Sequence, residues 1–194
     1  MLPENSNLIT INGGSSSIKF AMYEMAKTPK LIFSGSINRI GLNGTTFNVN
    51  YIDQYENVGY EIYCPGFYEA AIFLILWLKK QTGFDRIKCV GHRIVHGMNH
   101  THAEVIDATL LKELKRITDY DPDHLPAEIE IIELFRQRCP GVLQVACFDT
   151  SFHITLPRIA KILPIPRRFD QAGVQRYGFH GLSYAFLIEK LKEI

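Results

Sequence analysis

Four short segments of this 194-residue chain gather side chains able to bind or move an anion. In Asn12-Gly13-Gly14-Ser15-Ser16-Ser17-Ile18-Lys19, glycines allow close backbone approach, successive amides of a tight turn can form an anion-binding nest, and the serine hydroxyls add donors. Lys19 would bring a point charge to a phosphate. The same composition suits an ordinary hairpin turn, and the GxxxxGK[ST] spacing of a P-loop is absent. In Gly91-His92-Arg93-Ile94-Val95-His96-Gly97, Arg93 leaves the end of a strand, where open sheets bind ligands, and a guanidinium there can hold a carboxylate or phosphate bidentately. A structural ion pair is the other role open to Arg93. His92 and His96, with His100 and His102 nearby, invite a zinc site. They share one face only in a helix, however, glycines flank the segment, and the glutamate of an HExxH motif is missing.

Two further segments follow. Phe148-Asp149-Thr150-Ser151-Phe152-His153 places Asp149 just past a buried strand. An acid there can hold Mg²⁺ or orient a reacting group in phosphoryl transfer, or simply cap a helix or form a turn. In Tyr177-Gly178-Phe179-His180-Gly181, glycines on both sides of Phe-His fit close packing against a ligand, or a satisfied core histidine.

These groups need a scaffold, and composition bounds it. Hydrophobic residues make up 46% and charged residues 21%, an ordinary soluble domain rather than a disordered chain. Lys and Arg total 21 against 20 Asp and Glu, so no broad basic field exists to hold nucleic acid or an anionic membrane. The longest apolar run, 70–78, is far short of the roughly 20 residues of a membrane span. Residues 1–10 lack a basic start and an apolar core, so no signal peptide is expected. The four cysteines show no CxxC spacing and read as reduced. A cytoplasmic protein without disulfides is expected.

Apolar alternation predicts strands over 8–12, 18–24, 30–40 and 46–52, joined without helices and therefore antiparallel. A helix is predicted over 67–82, stopped by Gly83, then a short buried strand over 87–90. Asp107 can cap a helix over 108–118, and Pro126 suits the first turn of another running to Arg138. A strand over 142–148 and a helical pattern over 182–194 complete an α/β or α+β layer fold. The last helix stops without a terminating Gly, Asn or Pro, which suggests a fragment or a broken reading frame.

Taken together and in this order, the four segments resemble the acetate kinase family, part of the sugar kinase, Hsp70 and actin superfamily. Residues 12–19 match its Asn-x-Gly-Ser-Ser-Ser-x-Lys turn, 91–97 its GHR-x-VHG motif, 148–153 its FDT-x-FH motif and 177–181 its YGFHG motif. The resemblance implies an α/β, ribonuclease H-like (actin-like ATPase) lobe with a mixed sheet flanked by helices. Residues 1–149 would form that N-terminal lobe, and 150–194 the first segment of an incomplete second lobe. It also implies reversible, Mg²⁺-dependent phosphoryl transfer between ATP and acetate, giving acetyl phosphate. Propionate or butyrate is an alternative substrate, and a remnant lobe that binds anions without turnover is the non-enzyme alternative. A homodimer, or a separately encoded second lobe, is the implied partner.

Site residues follow from the same resemblance. Asn12 is associated with the metal; Ser15, Ser17 and Lys19 lie by the phosphates; Arg93 binds the substrate carboxylate. Val95 and Phe179 fit the methyl pocket by position. Asp149 matches the residue usually named as catalytic acid or base, His180 the stabiliser of the transferring phosphoryl group, and His124 a neighbour of that site. Acetate, however, is already ionised near neutral pH, so no base is needed in the forward direction. Asp149 is therefore expected to anchor Mg²⁺ indirectly or to orient Arg93. Gly13, Leu125, Met98, Leu182 and Tyr184 depart from the usual pattern. Family members continue for about as many residues again, in a half that carries the adenosine pocket, a second arginine and a magnesium-associated glutamate, so little activity is expected of this chain alone.

Overall fold

The computed structural model describes residues 5–194. The predicted antiparallel opening is present: β1 (Asn7–Gly13), β2 (Ser17–Glu24), β3 (Lys30–Asn38) and β4 (Thr46–Tyr51) pair in sequence. Alternation decides their faces, with Ile9, Ile11, Ile18, Phe33, Ile37 and Phe47 buried. A fifth antiparallel strand, β5 (Glu56–Glu61), was not expected. Its residues are almost all exposed, so it has no apolar alternation to signal it, and pairing with β4 alone holds it.

The chain then changes to helix-linked parallel strands. α1 (Phe67–Leu78) ends four residues before the expected 82. Lys80 N–H bonds Trp77 O and Gln81 N–H bonds Leu78 O, so the last turn tightens into i→i+3 bonds before Gly83 turns left-handed at φ 86°. β6 (Ile87–Ile94) runs four residues past the expected 90. Gly91, His92 and Arg93 have turn composition but lie in a central strand, parallel to β1 on one side and to a later strand on the other. After the two-residue β7 (Glu104–Val105) comes α2 (Ala108–Arg116), where Asp107 accepts from Leu110 N–H at 2.8 Å as the sequence predicts. α3 (Leu125–Arg138) carries Pro126 in its first turn, and β8 (Leu143–Phe148) closes the parallel set, with β7 antiparallel on its outer edge.

The result is an α/β fold: a mixed eight-stranded sheet, order β5-β4-β3-β2-β1-β6-β8-β7, flanked by helices. One core packs α1 and α3 on the first strands through Leu74, Ile75, Leu78, Ile131 and Phe135. A second packs α2 and α3 on β6 and β8 through Leu114, Ile132, Ile94 and Phe148. Each such fully buried side chain contributes about 1.5–3 kcal/mol. Beyond β8 the chain makes a 3₁₀ turn (Asp149–His153), two short helices, α4 (Arg158–Lys161) and α5 (Arg167–Gln171), and finally α6 (Gly181–Leu191). α6 packs on the 3₁₀ turn and on β8. Among the described residues no helix is long and apolar enough to cross a membrane. The four cysteines are free thiols, pushed above their usual pKa mainly by burial.

Candidate active site

The first motif is a tight hairpin. Gly14 N–H bonds Ser17 O at 2.7 Å, leaving Ser15 and Ser16 at the exposed tip. The register pairs Asn12 with Lys19, so both stand side by side on the sheet face opposite the first core. Gly13 is packed from the helix side: a Cβ there would lie 3.3 Å from Ile131 and 3.5 Å from Phe67.

Arg93 reaches the same face from the penultimate position of β6. Its Nε and Nη2 both donate to Asp149 Oδ2, at 2.9 and 2.5 Å, and its Nη1 donates to Asn12 Oδ1 at 3.0 Å. Asp149 is 0% exposed and its other oxygen accepts from Leu182 N–H at 3.2 Å. The carboxylate is thus committed on both oxygens, and it fixes the guanidinium plane. A guanidinium has five N–H donors; three are engaged, which leaves two free to take a bidentate anion. The ion pair and the carboxylate-binding role, alternatives at the level of sequence, are compatible in one geometry. An open groove of about 850 Å³ is lined by Arg93, Asn12, Lys19 and His180, with Cys147 and Phe186 among its walls.

Gly97, Gly178 and Gly181 join the motifs to one another, whereas Gly91 lines the groove. A Cβ on Gly97 would enter the Phe148 ring, one on Gly178 the His153 ring, and one on Gly181 the backbone oxygen of Asp149. His180, between the last two, adopts φ 59°, a left-handed conformation uncommon for a non-glycine residue. Gly181 beside it rests on the Asp149 turn, and His180 lines the groove.

A second cluster lies behind the end of β6. The His96 ring sits 4.7 Å from Tyr177 and 5.7 Å from Phe179, and Val95 is buried beside it. His124 stands at the N-cap position of α3, without a side-chain capping bond, near Asp121; Asp121 Oδ2 and His124 Nδ1 are buried without hydrogen-bond partners among the described residues. Burial raises the Asp121 pKa, opposed by His124 and His96, and burial lowers that of His96. Of the ten residues singled out from sequence, Asn12, Lys19, Arg93 and His180 line the groove and Asp149 lies directly beneath Arg93. Val95, His124 and Phe179 belong to the second cluster, and Ser15 and Ser17 flank the hairpin tip outside the groove lining.

The histidines do not converge on a metal. His92 is buried against Gln144 at 2.8 Å, and burial pushes its pKa down to about 4. His100 stacks on Phe148 and pairs with Glu104 at 2.8 Å. Among the described residues no group of three or more His, Cys, Asp or Glu could hold an ion. Sequence reasoning missed Glu128 and Asp121. Glu128 carried a signal: it falls on the buried stripe of α3 with Leu125, Ile129, Ile131 and Ile132, where an acid is out of place.

The family model of the acetokinases matches residues 7–194. The chain belongs to the acetokinase family. It is 35% identical over 192 residues to the acetate kinase of Mycoplasma capricolum, across 96% of this chain and 48% of that protein. Among solved structures it is similar to the acetate kinase of Porphyromonas gingivalis (TM-score 0.82, 29% identity, 96% of this chain and 49% of that one). It is equally similar to a propionate kinase of Francisella tularensis (TM-score 0.84, 28% identity, 95% and 48%). The chain spans about half the length of the curated relatives it matches. The lobe resemblance inferred from the four motifs therefore holds for the fold.

Proposed function

We propose that this chain supplies the carboxylate-binding part of an acetate kinase, which transfers a phosphoryl group reversibly between ATP and acetate. In this reading residues 1–149 form the first lobe and 150–194 begin the second. The observation that carries it is Arg93: a half-buried guanidinium braced by Asp149 and Asn12, with two donors free toward a groove that also holds Lys19 and His180.

The chemistry asks for positioning and charge compensation more than proton transfer. Acetate arrives ionised, and the free Arg93 donors hold its carboxylate in one plane. Asp149 keeps the guanidinium from turning. Lys19 and His180 face the same groove and can offset charge on phosphoryl oxygens. Val95 and Phe179, the apolar groups the resemblance points to for the methyl end, lie outside the groove lining, beside its Arg93 end. ATP chemistry calls for a divalent cation, Mg²⁺ in this reading. The donors here do not fit a directly held ion, since Asn12 Oδ1 accepts from Arg93 and both Asp149 oxygens are taken.

Titrating acetate, propionate and butyrate into the isotope-labelled chain, with amide and Arg side-chain resonances as the readout, tests the binding half. Acetate is expected to shift Arg93 Nε–H and residues lining the groove. Acetyl phosphate formation with and without a supplied second lobe tests the rest: activity only on addition is expected. An Arg93 resonance indifferent to all three carboxylates would overturn the assignment.

A further inference from the structure

β6, the strand that carries Arg93, pairs with β8 only as far as Ile94 opposite Phe148. Buried N–H groups beyond that point must find other acceptors, and those of Val95, Gly97 and Met98 find side chains. Gly97 N–H bonds Thr150 Oγ1 at 3.1 Å, Met98 N–H bonds His96 Nδ1 at 3.1 Å, and Val95 N–H bonds both oxygens of Glu128, at 3.2 and 3.3 Å. The first two acceptors are neutral and carry little penalty. Glu128 is an acid, 2% exposed, on an otherwise apolar helix face. Arg93, the cation that opposes the rise of its pKa, is already engaged by Asp149 and Asn12. A leucine would continue the stripe at lower desolvation cost.

We propose that Glu128 is a positioning residue for the anion-binding end of β6: by accepting the Val95 N–H it fixes the strand end from which Arg93 presents its two free donors. This rests on the assignment of Arg93 as the carboxylate ligand. A second contact supports it. The Glu128 Cγ lies 3.8 Å from where a Cβ on Gly13 would stand, beside Asn12, the other brace of Arg93. One side chain of α3 therefore reaches both strands that hold the guanidinium.

Glu128 is also suited to do this without charge. Burial, the largest influence, raises its carboxyl pKa to about 8; Asp121 and Asp149 add to the rise, while the Val95 N–H and Arg93 oppose it. Burial thus favours the protonated carboxyl near neutral pH. Arg93 and Asp149 already cancel, so an ionised Glu128 would add a negative charge beside the end of β6 that receives an incoming carboxylate.

Glutamine keeps the shape, the acceptor and the neutrality; leucine keeps only the volume. Val95 amide hydrogen exchange and acetate titration, both by NMR on the full chain, separate them. Glu128→Leu is expected to speed Val95 exchange and weaken acetate binding, each by about 10-fold or more, the scale of one lost buried hydrogen bond. Glu128→Gln is expected to stay within about 3-fold of wild type on both. Unchanged Val95 exchange and acetate affinity in the leucine variant would overturn the proposal. So would a glutamine variant as impaired as leucine, since charge rather than the acceptor would then matter. If the leucine variant does not fold, the glutamine variant decides alone: loss of Val95 protection there overturns the assignment. A wild-type chain that ignores acetate removes the Arg93 assignment, while Val95 exchange still reports on Glu128.

Discussion

Arg93 is a cation whose direction other side chains decide, and that is testable one residue at a time. Arg93→Lys keeps the charge and loses the planar fork, so a single ammonium cannot satisfy Asp149, Asn12 and a carboxylate together. Acetate affinity, measured by NMR titration, is expected to fall by about 10- to 100-fold, the range of a misplaced binding group. Asp149→Asn removes the buried countercharge beneath Arg93. The cation is then half-buried without its partner, and urea denaturation is expected to show a loss of about 3–5 kcal/mol. A loss below about 1 kcal/mol, the worth of an exposed pair, would mean that the ion pair is not the brace described here.

At the scale of elements, the motif glycines are spacers between segments far apart in sequence. Gly181 lets the start of α6 rest on the Asp149 turn, and a Cβ there meets the Asp149 backbone oxygen and Phe152 Cβ. Backbone cannot rotate away as a side chain can. Gly181→Ala is expected to lower stability by about 1–3 kcal/mol, or to detach α6 with a loss of helical circular dichroism. Gly141→Ala is the matched control, because nothing lies within 4 Å of a Cβ at that position. It is expected to stay within about 0.5 kcal/mol of wild type. Equal losses for the two variants would remove the packing explanation of the YGFHG glycine.

The whole molecule adds a pH dependence that no single element shows. Glu128 titrates at about 8 in the folded chain against its usual 4.5, so the folded state keeps a proton that the unfolded chain releases. Its contribution is full below about pH 4.5 and is lost as pH rises through 8. His92 titrates at about 4 against its usual 6.5; its contribution is full above 6.5 and is lost as pH falls toward 4. The two slopes oppose each other between pH 4.5 and 6.5, and from 6.5 to 8 Glu128 acts with His92 silent. Stability is therefore expected to fall between pH 6.5 and 8, by up to about 1.4 kcal/mol per pH unit, a visible part of the roughly 5–15 kcal/mol that domains possess. Calorimetry across this range should show a declining melting temperature in wild type and a flatter profile in Glu128→Gln. Parallel profiles for the two proteins would assign the slope to another group.

Local signals were enough for much of this. Alternation marked β1 to β4, the Asp107 cap and Pro126 marked α2 and α3, and four motifs in order identified the family, because each depends on residues a few positions apart. β5 escaped, since an exposed edge strand needs only a neighbour to pair with and no apolar pattern. The full length of β6 escaped too: Gly91, His92 and Arg93 look like a turn until β1 and β8 take up their backbone groups on either side. The amino-acid sequence by itself determined the family and the antiparallel opening of the sheet, and it singled out Arg93 and Asp149 as candidate site residues. Only the tertiary structure decided that they bond each other and that Glu128 stands behind them. Those pairs, 56 and 33 residues apart, owe their energies to burial and to the geometry of parallel strands meeting a helix, and neither quantity exists until the chain is folded.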